Sequence, residues 1–151
     1  MANLVDDLMA ATATYGDRPA VRMDDYVMTY RELADAAGLV AAVIRRFGLQ
    51  PGDRVGLVLP NVPAFPVIFY GALLAGCVPV PMNPLLKAPE IEFYLSDSGT
   101  RLLFVWDGAG DAAASAAATV DARVVTVVRA FKAKLAWVSS APFGVPVVPD
   151  V

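Results

Sequence analysis

The sequence predicts an α/β fold, a parallel sheet with helices on both faces, and three observations carry that expectation. Four short runs, at residues 54–59, 77–82, 101–106 and 123–128, are almost continuously apolar. Such strands belong to a parallel sheet buried on both sides, because a half-solvated strand would alternate polar and apolar residues. Segments with helical spacing or high helix propensity separate the runs, and Gly or Pro punctuates the joins.

Taken in order, residues 3–15 suggest a short helix, followed by a strand over Ala20 to Met23 and a tight turn at Asp24-Asp25. Thr29 opens the next helix with a capping box, its hydroxyl accepting from the third helical amide while Glu32 reaches back. Leu33, Ala37, Val40, Ala41, Ile44 and Phe47 then recur at helical spacing and form one apolar face. Gly48 stands at the left-handed C-cap position, and Pro51-Gly52 has the residue order of a type II turn. Arg54 to Leu59 is a strand, Val67 to Ala75 a helix ended by Gly76, and Cys77 to Met82 a strand. Pro89 fits the first turn of a further helix, with Glu90 and Glu92 near its positive end and Gly99 closing it. Arg101 to Trp106 is the third strand, an alanine-rich helix follows, and Arg123 to Val128 is the fourth.

At 151 residues the chain is one domain or a piece of one, with residues 1–128 in the βα rhythm. Residues 129–151 depart from it. They form a divergent apolar tail in which Pro142, Pro146 and Pro149 restrict any strand to an edge. Lys132, Leu135 and Ala136 allow one short helical turn before them.

Composition excludes several functions. Hydrophobic residues make up 57% and charged residues 18%, with a net charge of −3, so no basic face offers itself to nucleic acid. The absence of histidine rules out a Ser-His-Asp triad and the commonest metal ligand. Cys77 is the only cysteine and has apolar neighbours, which point to a buried core thiol and a reducing, cytoplasmic setting. Residues 55–86 carry no charge, yet their longest proline-free run, Val67 to Val78, is too short for the roughly 20 residues that cross a bilayer. A buried helix is expected there, no transmembrane segment, and at most peripheral membrane association.

Three groups of residues are candidates for chemistry. Asp107-Gly108-Ala109-Gly110-Asp111 follows a strand and has the look of a dinucleotide loop. Its two aspartates, however, stand where a pyrophosphate would sit, and a plain turn into a helix explains it as well. Glu90, Glu92 and Asp97 could supply carboxylates, but residues two apart on a helix diverge, so solvated helix positions are the simpler account. Phe65, Phe69, Tyr70, Phe93 and Tyr94 could line an apolar acyl pocket or simply fill the core. No Gly-rich Ser/Thr-Lys phosphate loop occurs in the sequence.

Several motifs in order, Thr29-Tyr30-Arg31-Glu32-Leu33, Gly52-Asp53-Arg54-Val55, Leu59-Pro60-Asn61, Gly71-Ala72 through Gly76, Val80-Pro81-Met82-Asn83-Pro84 and Leu95-Ser96-Asp97-Ser98-Gly99, resemble the N-terminal part of the acyl-adenylate-forming ligases. The likeness looks closest to the fatty acyl-CoA synthetases and fades after about Val128. It implies an incomplete N-terminal part of a larger adenylate-forming domain. For the full-length family it also implies a reaction in which a fatty or other carboxylic acid and ATP give acyl-AMP, with Mg²⁺, before coenzyme A takes the acyl group. The family's phosphate loop and catalytic lysine find no counterpart here. The expectation is therefore a truncated fatty acid–CoA ligase, incompetent alone, with no catalytic, cofactor-binding or metal residue assigned and no cofactor held by this chain alone. Truncation could be experimental, natural or the result of a frameshift. Two alternatives remain: a non-catalytic module docking on a homologous ligase, or on itself, through an exposed sheet edge, and a nucleotide binder using Gly108 and Gly110.

Overall fold

The structure is a computed structural model that describes residues 3–127, so the tail over 129–151 lies outside the described residues. Helix α1 spans Leu4–Tyr15, capped by Asn3. Strands β1 (Pro19–Met23) and β2 (Tyr26–Thr29) then pair antiparallel as a hairpin, joined at Asp24-Asp25 with Asp24 at φ 52°. Aspartate tolerates that left-handed conformation better than most residues. The second strand is a departure from expectation, because Tyr26-Val27-Met28 is too short to declare itself and pairing with β1 makes it a strand.

Helix α2 spans Tyr30–Arg46. The capping box is present: the Glu32 amide donates to Thr29 Oγ1 at 3.2 Å, and the Thr29 amide donates to Glu32 Oε2 at 2.8 Å. Gly48 follows at φ 82°, closing the helix as its position predicts. Gly52, at φ 92°, turns the chain into β3 (Arg54–Val58), and its amide donates to the Gly76 carbonyl at 2.8 Å. Helix α3 covers Ala64–Leu74, three residues earlier than the proline spacing suggests. Pro66 falls in its first turn, where backbone amides have no intrahelical acceptor, so proline costs no hydrogen bond there.

Strand β4 (Val78–Met82), helix α4 (Ala88–Ser98), strand β5 (Leu102–Trp106), a 3₁₀ turn (Asp107–Ala109), helix α5 (Gly110–Thr119) and strand β6 (Arg123–Val127) complete the described chain. The main sheet has four parallel strands in the order β4-β3-β5-β6. The pleat sends alternate side chains to opposite faces. Val55, Leu57, Leu102 and Phe104 pack into a core with α2 and α3, while Val58, Leu103 and Val105 pack with α4 and α5. Helices therefore cover both faces, and the α/β expectation holds with the hairpin added to it.

Candidate functional site

Open α/β sheets bind ligands outside the carboxyl ends of their strands, where successive connections part to opposite faces. Here that point lies between β3 and β5. Strand β3 leads through Leu59, Pro60 and Asn61 to α3 on one face, and β5 leads through Asp107–Ala109 to α5 on the other. The β1–β2 hairpin borders the β3 exit. Between them lies an open cleft of about 220 Å³, formed by Val21, Arg22 and Met23 on one side and Asn61, Val62 and Phe65 on the other. Its walls are apolar apart from Arg22 and Asn61. That volume falls below the roughly 300–1,000 Å³ of sites that engulf a small molecule. Asp107 and Asp111, at the first turns leading into α5, set negative charge where a polyphosphate would approach that helix.

The candidate groups separate in space. Asp107–Ala109 is a 3₁₀ turn running directly into α5, and Gly110 has an ordinary helical φ of −58°. Gly108 is accounted for by packing: a Cβ there would stand 3.0 Å from the Trp106 indole nitrogen. The geometry is a helix lead-in and not an open phosphate loop. Glu90 is engaged in capping, its carboxylate accepting from the Lys87 amide at 2.8 Å, while Asp97 is exposed on the same helix. The aromatics do not form one pocket. On α3, against the first core, Phe65 stacks on Phe69 with ring centroids 6.1 Å apart, and Phe69 meets Tyr70 edge-to-face at 5.9 Å. Phe93 and Tyr94 lie exposed on α4, which covers the opposite face, beside a shallow groove with Leu86 and Pro89. Sequence spacing could not reveal this, because the two helices cross to different faces of the sheet.

Cys77 is buried as expected, its thiol donating weakly to the Gln50 carbonyl at 3.6 Å. Burial pushes this thiol above its ordinary value, Asp53 adds to the rise, and Arg45 opposes it. Tyr26 is also raised, by burial and then by Glu32. A raised folded-state value favours folding only while the group stays protonated. This contribution is therefore complete below the unfolded thiol value of about 8.5 and is lost as pH rises through the folded one, with Tyr26 following at higher pH. Urea midpoints measured from pH 7 upward should fall first in that thiol window, and Cys77→Ala should remove that first decline. An unchanged pH profile in the variant would refute the assignment.

Among the described residues no group of three or more acidic or thiol side chains could hold a metal, and no helix is long and apolar enough to cross a membrane. The family model described as AMP-binding enzyme matches residues 8–145. A long-chain-fatty-acid–CoA ligase from Escherichia coli O6:H1 is 38% identical over 104 residues, covering 68% of this chain and 18% of that ligase. The long-chain-fatty-acid–CoA ligase FadD13 of Mycobacterium tuberculosis is 44% identical over 79 residues, 52% of this chain and 16% of that one. Among solved structures, a benzoate CoA ligase from Burkholderia xenovorans LB400 superposes with a TM-score of 0.79 at 28% identity, over 93% of this chain and 29% of that chain. The chain thus spans about a fifth of the length of the curated relatives it matches, 18% in the E. coli case. With the parallel sheet, its two covered faces and a family match over most of its length, the chain belongs to the AMP-binding enzyme family.

Proposed function

We propose that residues 1–128 are the N-terminal subdomain of a fatty acid–CoA ligase, a scaffold for acid activation that does not carry the reacting groups. The observation behind this reading is the 38% identity to a long-chain-fatty-acid–CoA ligase over a segment that is only 18% of that enzyme. In the full-length reaction a carboxylate attacks the α-phosphate of ATP, pyrophosphate leaves, and the coenzyme A thiol displaces AMP from the acyl carbon. Mg²⁺ offsets the phosphate charge. What supports the scaffold reading is that the sequence carries no Gly-rich Ser/Thr-Lys phosphate loop.

The purified chain with Mg-ATP and a fatty acid should therefore show pyrophosphate exchange at background level. Exchange above that level overturns the claim of incompetence. The ligase reading itself is tested by a chimera in which residues 1–127 replace the matching segment of the E. coli relative. Acyl-CoA formation by the chimera is the expected result, and a folded chimera without activity counts against the reading.

A further inference from the structure

Helix α4 turns a patterned stripe to the outside. Phe93 and Tyr94 are 64% and 44% exposed, meet edge-to-face with ring centroids 6.0 Å apart, and border a groove of about 330 Å³ with Leu86 and Pro89. Positions three and four apart share a helix face, so Glu90 and Asp97 lie at the two ends of this stripe with the aromatic pair between them. Glu90 caps the Lys87 amide through Oε2 at 2.8 Å and stays exposed, as does Asp97. Neither carboxylate forms an ion pair among the described residues, and from Ala88 to Ser98 the helix carries no cation. An exposed apolar patch rimmed by charge marks an interaction surface.

Residues 129–138, outside the described residues, carry the complementary pattern in their sequence. Arg129, Lys132 and Lys134 are cations, Phe131, Leu135 and Trp137 are apolar, and no acid follows before Asp150. In a chain of net charge −3 this is the counterpart that the Glu90 and Asp97 carboxylates call for. The parallel sheet also brings the two pieces to one end of the molecule. Strand β6 finishes at Val127 and α4 starts at Ala88, each at the carboxyl end of the strands. The order β4-β3-β5-β6 sets β6 three strand spacings from β4, about 15 Å. Passing to the far side of a helix adds about 10–12 Å. The ten residues from Val127 to Trp137 span up to about 33 Å, enough for both.

We propose that the stripe and groove of α4 are covered by residues 131–138 of this same chain, with the apolar side chains on Phe93 and Tyr94 and the lysines toward Glu90 and Asp97. Tethering favours this occupant over a second copy, because a segment on a short linker meets the groove at an effective concentration on the order of millimolar. The inference concerns this chain alone and stands apart from the ligase reading.

Phe93→p-benzoylphenylalanine in the 151-residue chain tests it, by placing a photo-crosslinker at the centre of the stripe and outside the core. Irradiation over a range of dilutions, followed by peptide mass spectrometry, should give intrachain crosslinks concentrated on residues 131–138, at a yield independent of dilution. Lys132→Glu with Lys134→Glu should lower that yield at least about threefold, and adding Asp97→Lys should recover part of it. Crosslinks spread evenly over residues 129–151 overturn the proposal, since they report a tether without a docking site. The same holds if the tail gives no crosslink, or if charge reversal leaves the yield unchanged. Crosslinks found only in a covalent dimer overturn it as well and assign the stripe to a second copy.

Discussion

Phe104→Ala should be the most destabilising single truncation in the described chain. Phe104 is the largest fully buried side chain, and its strand lies between β3 and β6 with Leu57 and Val125 as cross-strand partners. Removing a buried phenyl group forfeits its transfer free energy and leaves a cavity that rigid strands on both sides cannot close. The expected cost is about 3–5 kcal/mol. Since domains are stable by only about 5–15 kcal/mol, this is a large share of the total. Urea unfolding should show a lower midpoint at an unchanged slope. Phe93→Ala is the control, because Phe93 is 64% exposed and its loss should change stability by less than about 0.5 kcal/mol. Equal costs at the two positions would refute the placement of the core.

Gly71→Ala is the second large effect, and here two forces oppose each other. In the interior of a helix alanine is favoured over glycine by about 1 kcal/mol. The space at Gly71 reverses the sign. A Cβ would stand 2.6 Å from Val40 Cβ and Cγ1 and 3.0 Å from the Ala37 carbonyl oxygen. These contacts lie where α3 crosses α2, and one of them is backbone, so a rotamer change alone does not relieve them. Overpacking of this kind costs about 1–3 kcal/mol, enough to make the substitution destabilising. Adding Val40→Ala removes the Cγ1 contact but leaves the Cβ at position 40 and the Ala37 carbonyl in place. The double variant should accordingly recover part of the loss measured against Val40→Ala alone. A stabilised Gly71→Ala chain would mean that the two helices do not approach this closely.

Much of the fold was legible because its signals are local. The Thr29–Glu32 capping box, the glycines at 48 and 52 and the proline in the first turn of α4 each act within a few residues, and each appears in the structure where its chemistry demands. The failures are equally specific. Strand β2 went unread because its identity depends on β1. The start of α3 was misplaced because Pro66 resembles a helix breaker unless its place in the first turn is known. The aromatic candidates looked like one set although α3 and α4 carry them to opposite faces.

By itself, then, the sequence determined the order of the strands and helices apart from β2, their caps and turns, and the family, since these depend on neighbours along the chain and on motifs in fixed order. Tertiary structure alone decided which strands lie at the edges, where the connections part to leave a crevice, and which backbone groups of the outer strands face away from the sheet. Pro79 and Pro81 are visible in the sequence, but that they face outward depends on the alternation of hydrogen bonds across β3 and β4. The same alternation at β5 and β6 turns Val124 and Thr126 outward. Strand order and the direction of a backbone amide arise from pairing between distant segments, and no local pattern records them.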